Sequence, residues 1–346
     1  MTEQPRSSKA SRSRVSVERS LTFPGRLTIA GGIFRDGLRA TTKSADRATA
    51  PSEDNVPDCI ETLNITRPKM VAKAHRTLLR AGAEILFTNT SGAAPQLLDR
   101  YRVHDEAFAI SYLGAEIAST VARETTQGED RPRVVGDVRM PWHLPVHGFI
   151  PGTEVETAAA SMTSAQVAGG VDAICLTTSQ HPAHLAAAFN GARAGMAEAG
   201  RNVPVLVSVR REGLGLSDDP EQVLDALIAA GHLARSLGAA ALSLDTSSLE
   251  TDAAAGLITF AAALDGPLIV TPGTSEAMVQ ACLANQSLAH RFAFVGAETP
   301  TQAWRLSRFM AVTAPQPTSK STPVSANTND ADVFGRAPNS SWIGVA

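Results

Sequence analysis

Eight short apolar, β-branched runs alternate with longer segments of helical period between residues 27 and 311, and the alternation predicts an α/β chain built as a (β/α)8 TIM barrel. Two further observations agree with it. The runs are apolar throughout rather than every second residue, as parallel strands covered on both faces require. Several of the intervening segments open on helix-start signals. A doubly wound open sheet would give the same alternation, so periodicity leaves closed and open sheets both standing.

The strand candidates, in order, are Leu27 to Ala30, Glu84 to Asn89, Arg133 to Val138 and Asp172 to Thr177, then Pro204 to Val209, Ala240 to Asp245, Pro267 to Thr271 and Phe292 to Gly296. Between them, Thr153-x-x-Glu156, Ser247-x-x-Glu250 and Thr299-x-x-Gln302 read as capping boxes, each serving two backbone donors at a helix start. Pro220 and Pro300 fit first helical turns behind Asp219 and Thr299 as caps. In the second helix Phe108, Leu113, Ile117 and Val121 recur at helical spacing, which turns them toward the barrel.

Composition bounds the rest. With 346 residues, 43% of them apolar, the chain can bury a large core. A net charge of -3 argues against a nucleic-acid binder or a polybasic membrane protein. The longest apolar runs, such as Ile258 to Leu264, fall far short of the roughly 20 residues that span a bilayer. Cys59, Cys175 and Cys282 are widely spaced, with no CxxC pair, which suits a reducing cytosol and a cytoplasmic location.

Three stretches follow: an arm over 1–24, the barrel over 25–312 and a tail over 313–346. The arm is rich in Ser and Arg and lacks a signal-peptide core. That composition is also seen in transit peptides, although Glu3 and Glu18 weaken this alternative and a disordered arm is expected. The tail is dominated by Pro, Ser, Thr and Asn and reads as disordered, with a mildly apolar end at Trp342-Ile343-Gly344-Val345-Ala346.

One pair of motifs adds a family. Asp58-Cys59-Ile60-Glu61-Thr62-Leu63-Asn64-Ile65-Thr66-Arg67-Pro68 leads into Ala81-Gly82-Ala83-Glu84-Ile85-Leu86-Phe87-Thr88-Asn89-Thr90-Ser91-Gly92-Ala93. Together they resemble the homocysteine S-methyltransferase family, the homocysteine-binding barrel of methionine synthase and its betaine-dependent relatives. The resemblance runs through most of residues 27 to 311 and implies the closed barrel, with chemistry at the C-terminal ends of the strands.

At those ends the chain departs from what the resemblance implies. The family opens strand 1 with Asp-Gly-x-x-Gly-Thr, where this chain has Ala30-Gly31-Gly32-Ile33-Phe34-Arg35. Strand 2 keeps Thr88-Asn89-Thr90-Ser91-Gly92, with Phe87 where many members carry Glu. Asn89 either orients a ligand or caps the loop. Asp137 and Arg139 are new charges after strand 3, read as a salt bridge. Thr177 stands where relatives end strand 4 with the Glu that holds the substrate ammonium.

Relatives bind zinc through three cysteines. Here Leu244-Asp245-Thr246 replaces Asn-Cys after strand 6, and Val295-Gly296-Ala297-Glu298 replaces the Gly-Gly-Cys-Cys turn after strand 8. Thr246, Ala297 and Glu298 therefore occupy family zinc positions without thiols, and no cofactor is expected. Zinc serves the family reaction by stabilising a thiolate at neutral pH, because the thiolate is the competent nucleophile. Asp245 and Glu298 offer only oxygen.

The ligand-binding candidates are Asn89, Asp137, Thr177, Arg210 and Asp245. Arg210 and Arg211, followed by Glu212-Gly213, could pair a carboxylate or phosphate, or simply be solvated. His143 and His147 after strand 3, with His181 and His184 after strand 4, form an alternative imidazole metal site, against which stand a helix cap and solvated loops. The function expected is a divergent homocysteine S-methyltransferase-like barrel without zinc-dependent methyl transfer. It would act as a binding or partner subunit, or on an altered ligand. A small molecule and a corrinoid domain or true methyltransferase are the expected partners, with no nucleic acid and no membrane. A working methyltransferase with a non-standard site remains open beside it.

Overall fold

A computed structural model describes residues 22–24, 28–33, 38, 57–126, 131–141, 143–144, 148–211, 219–244, 253–272, 274, 276–313 and 342–344. Its eight parallel strands close into a barrel: β1 Thr28–Gly31, β2 Ile85–Phe87, β3 Arg133–Arg139, β4 Ala173–Ser179, β5 Val205–Arg210, β6 Ala241–Leu244, β7 Leu268–Val270 and β8 Phe292–Ala297. Neighbours in sequence are neighbours in the sheet, and β8 returns to β1 with Val295 opposite Ile29 and Ala297 opposite Gly31. The closed barrel, and not the open sheet, is the architecture.

A helix follows each strand: α1 Pro68–Arg80, α2 Ala107–Thr125, α3 Gly152–Ala168, α4 Pro182–Glu198, α5 Pro220–Ser236, α6 Ala253–Ala263, α7 Glu276–Ala284 and α8 Pro300–Thr313. Two apolar layers result. Ala30, Ile85, Phe87, Val135, Cys175, Leu206, Ile269 and Phe294 fill the barrel interior. The opposite strand faces pack against the helices in the larger outer layer. Inside the barrel, Phe87 and Phe294 meet edge to face, centroids 5.8 Å apart and planes at 68°, a geometry that adds about 0.5–1.5 kcal/mol beyond burial.

Two of the cap readings agree with the structure. Asp219 accepts from Glu221 N at 3.1 Å, and Thr299 Oγ1 accepts from Gln302 N at 3.1 Å. The third does not: α3 begins one residue before Thr153, with Pro151 as N-cap and no side-chain cap. Ser247 and Glu250 lie outside the described residues.

The row expected to face the barrel on α2 holds at Val121, which is buried, and is corrected at Phe108. Phe108 is 48% exposed, and the buried face is Ile110, Ser111, Gly114, Ala115, Ala118, Val121 and Ala122. Small residues are needed there because α2 lies hard against the loop after β2. A Cβ on Gly114 would stand 2.6 Å from both Asn64 Nδ2 and Thr90 Cγ2.

At the N-terminal end of the barrel, arginines bind carbonyls of the loops that lead from helices into strands and of the end of α6. Arg235 donates to Ala239 O, Ala240 O and Pro267 O. Arg291 donates to Ala261 O, Leu264 O and Gly266 O. This end holds the barrel together, leaving the opposite mouth for a site. The short strands Thr22–Pro24 and Trp342–Gly344 pair antiparallel, so the arm and the tail meet at that point.

Candidate functional site

A cavity of about 450 Å³ opens at the C-terminal mouth of the barrel. The loop after β2 builds one wall. Thr88 Oγ1 lies 2.6 Å from Thr90 Oγ1 and accepts from Asp137 N at 2.9 Å. Thr90 Oγ1 and Gln166 Nε2 both donate to Asp137 O, at 2.7 and 3.1 Å. The backbone of Asp137 is thereby held by three side chains, and its carboxylate lines the cavity from a fixed base. Gly136 is small for the same reason, since a Cβ would sit 2.4 Å from Gln166 Oε1.

A second wall is the segment before α1, clasped to the β2 loop by two asparagines. Asn89 Nδ2 donates to Ile60 O at 2.9 Å and to Asn64 Oδ1 at 3.0 Å. Asn64 Nδ2 donates to Asn89 O at 2.8 Å and to Ile110 O at 3.0 Å. Both N–H groups of Asn89 are therefore used by the protein, and its Oδ1 is the amide atom available to a ligand. The two readings of Asn89, loop clamp and ligand contact, are both compatible with one side chain.

Glu61 completes this wall. It is 9% exposed, accepts Gly92 N at 2.7 Å through Oε1 and lies 3.5 Å from Cys59 Sγ through Oε2. Burial and the neighbouring carboxylate push the Cys59 thiol up to about 11. Cys175, buried in β4, is raised well above its ordinary value by burial and by Asp137. Both are protonated at neutral pH, and so poor nucleophiles and poor metal ligands.

Of the ligand candidates, Asn89, Asp137 and Arg210 line this one cavity. Thr177 is half-buried, sits between Arg139 and Ser208 in register, accepts Met140 N at 2.9 Å through its carbonyl and is not part of the lining. Asp245 and Thr246 lie outside the described residues. Ala297 is wholly buried opposite Gly31, and its carbonyl accepts Gly32 N. Glu298 is half-buried, its backbone N–H donating to Gln302 Oε1 at 2.9 Å.

Sequence reading missed Glu61, Arg100 and Tyr101 as members of the lining. The signal for Glu61 was present, a carboxylate inside the family motif, but nothing in one dimension tells that residue 61 faces residue 92. The expected Asp137–Arg139 salt bridge does not form. The two lie on one face of β3 about 7 Å apart along the strand, and Arg139 has no hydrogen-bond or ion-pair partner among the described residues.

Of the four histidines of the alternative metal site, His181 and His184 have described side chains. His184 is fully buried, with Nδ1 2.8 Å from Thr178 Oγ1 and Nε2 3.1 Å from Pro141 O. A carbonyl can only accept, so Nε2 carries the proton and Nδ1 accepts from the threonine, and neither nitrogen is left for a metal. His181 is exposed at the start of α4. The side chain of His143 and all of His147 lie outside the described residues. Among the described residues no group of three His, Cys, Asp or Glu side chains could hold a metal ion, and no helix is long and apolar enough to cross a membrane.

Comparisons with known proteins place this geometry. A family model described as homocysteine S-methyltransferase matches residues 34–289. Methionine synthase of Mycobacterium leprae is 33% identical over 180 residues, which is 52% of this chain and 15% of that protein. Methionine synthase of Mycobacterium tuberculosis is 32% identical over the same shares. The chain therefore spans about a seventh of the length of these relatives. The metallated form of the homocysteine methyltransferase MmuM from Escherichia coli superposes with a TM-score of 0.59 at 16% identity, covering 82% of this chain and 96% of that one.

Proposed function

The chain belongs to the homocysteine S-methyltransferase family, and from that premise we propose that its barrel binds a small polar ligand at the mouth and does not transfer methyl groups to homocysteine through zinc. The observation that carries this reading is the donor set at the family's zinc positions. Ala297, wholly buried, offers no ligating atom, and Glu298 offers oxygen. Thr246 offers a hydroxyl by its identity. A site that stabilises a thiolate through three sulfurs cannot be built from these residues, so the set does not fit the metal.

The chain's own cysteines do not substitute. Cys59 and Cys175 are buried protonated thiols, and Cys282 belongs to α7. The scaffold around the missing chemistry is intact: the Thr88–Thr90–Gln166 support, the Asn64–Asn89 clasp and a cavity of ligand size all remain. An intact mouth with an altered donor set supports a binding or partner role, beside a corrinoid domain or an active methyltransferase.

The test is metal content of the chain purified without chelators, together with methionine formation from homocysteine and either betaine or a methylcorrinoid. The expected result is substoichiometric zinc and no methionine above the uncatalysed rate. Stoichiometric zinc with methionine formation would overturn the reading.

A further inference from the structure

The charged groups around the mouth are not equivalent. Glu61 is tied by the Gly92 N–H and the Cys59 thiol. Arg100 stacks on Tyr101, its guanidinium 4.6 Å from the ring centroid. Arg139 is different. It is half-buried, it lines the cavity, and no hydrogen bond or ion pair links it to any described residue. A guanidinium that has given up part of its water without gaining an acceptor is costly unless something else supplies one.

Arg210 reaches the same cavity from the other side of β4. Arg139 stands opposite Thr177 of β4, and Arg210 stands opposite Ser179 of β4. The two arginines thus flank a single strand, two residues out of step along it, with backbones about 12 Å apart, a span that two long side chains can close on one ligand group. Apolar side chains occupy other parts of the lining, among them Ile33, Phe87, Leu97 and Tyr101.

We propose that Arg139, with Arg210 beside it, is the receptor for an oxyanion, so that the mouth takes a small organic ligand carrying a carboxylate or phosphate on an apolar body. Planar guanidinium donors match both oxyanions in a bidentate fashion. Asn89 Oδ1 supplies an acceptor on the opposite wall for an N–H or O–H of the same ligand. The assignment rests on the reading of the mouth as a ligand site, but not on the loss of methyl transfer.

The experiment is isothermal titration of the full chain at constant ionic strength with inorganic phosphate in one arm, and with butyrate and succinate in the other. Saturable binding is expected in at least one arm, and the arm that binds identifies the oxyanion. Arg139→Ala should weaken that binding roughly 10- to 100-fold, the range for a charge-assisted hydrogen-bonded pair. Arg139→Lys should recover part of it. Arg123→Ala removes an exposed arginine of α2 and should leave it unchanged.

Equal binding by wild type and a folded Arg139→Ala variant would overturn the proposal, as would failure of folded wild type to bind in both arms. The two readings fail separately. A chain that makes methionine yet binds oxyanions through Arg139 overturns only the zinc-independent reading, whereas a zinc-free chain indifferent to oxyanions overturns only this one.

Discussion

Glu61 Oε1 accepts the backbone N–H of Gly92 at 2.7 Å, and this contact fastens the segment before α1 to the loop after β2 across the candidate site. A Cβ on Gly92 would stand 2.6 Å from that same oxygen. The glycine and the carboxylate are therefore one device: the absent side chain lets the buried carboxylate reach a backbone donor.

Gly92→Ala is expected to destabilise the chain by about 1–3 kcal/mol, the range for overpacking in a buried contact. Glu61→Ala should cost a comparable amount by leaving the Gly92 N–H without its acceptor. In the double variant the two effects should fall short of their sum, since both break one contact. Urea denaturation of the three variants measures this, and full additivity would contradict the coupling.

Helices α3 and α4 approach closely because Gly191 and Gly195 present bare backbone to α3. A Cβ on Gly195 would lie 2.2 Å from Ala160 O, a backbone atom that cannot swing aside. Gly195→Ala should lose about 2–4 kcal/mol as the helices are forced apart. At Gly152, by contrast, a Cβ would meet only Ala187 Cβ at 3.8 Å. Gly152→Ala should be neutral or stabilising by up to about 1 kcal/mol through the unfolded state. Thermal midpoints of the two variants give the comparison.

Two buried histidines predict acid sensitivity. Burial lowers His184 from 6.5 to about 4 and His75 from 6.5 to about 3. The unfolded chain binds these protons first, so stability rises with pH across the window. The contribution is full above about 6.5 and is lost as pH falls from there toward the folded values. At about 1.4 kcal/mol per unit, the shift corresponds to roughly 3 to 4 kcal/mol for His184 and roughly 5 for His75. Stability measured by denaturant between pH 4 and 7 should show this slope, and a flat profile would contradict it.

His75 also predicts a gain. Neither of its ring nitrogens has a partner among the described residues, and the side chain is fully buried on α1. His75→Leu replaces an unsatisfied polar ring by an apolar group of similar size. It should stabilise the chain by about 1–3 kcal/mol and remove part of the acid slope. His184→Leu should instead destabilise, because it leaves Pro141 O and Thr178 Oγ1 without their partner.

At the opposite end of the barrel, Arg291 serves three carbonyls at and just beyond the end of α6 at once. Arg291→Ala should lower stability by about 1–3 kcal/mol while leaving oxyanion binding at the mouth unchanged. Arg291→Lys should restore little, since one ammonium cannot reproduce the planar fork. Chemical denaturation and ligand titration on the same preparations separate the two effects.

The strands were legible in one dimension because a parallel strand buried on both faces must be apolar at every position. All eight expected runs coincide with strands to within about two residues at either end, the scatter usual for element boundaries. Closure was not legible from periodicity, since an open sheet needs the same strands; the family motif supplied it. On α2 the helical period turned Val121 inward correctly but Phe108 as well, whereas the packing buries Ile110 and sets Gly114 against the loop after β2, where even a Cβ would clash. At the site, Asn89, Asp137 and Arg210 could be named from strand-end position. Glu61, brought to Gly92 across 31 residues, could not.

The sequence by itself determined the barrel and put the charges Asp137 and Arg139 at the end of strand 3, because each is a matter of residue identity along a strand. Tertiary structure decided which of those charges are satisfied. It joined Glu61 to Gly92, committed both nitrogens of His184 to Thr178 and Pro141, and left Arg139 facing a cavity. Whether a charge has a partner depends on distance in three dimensions, and that distance exists only once the chain has closed.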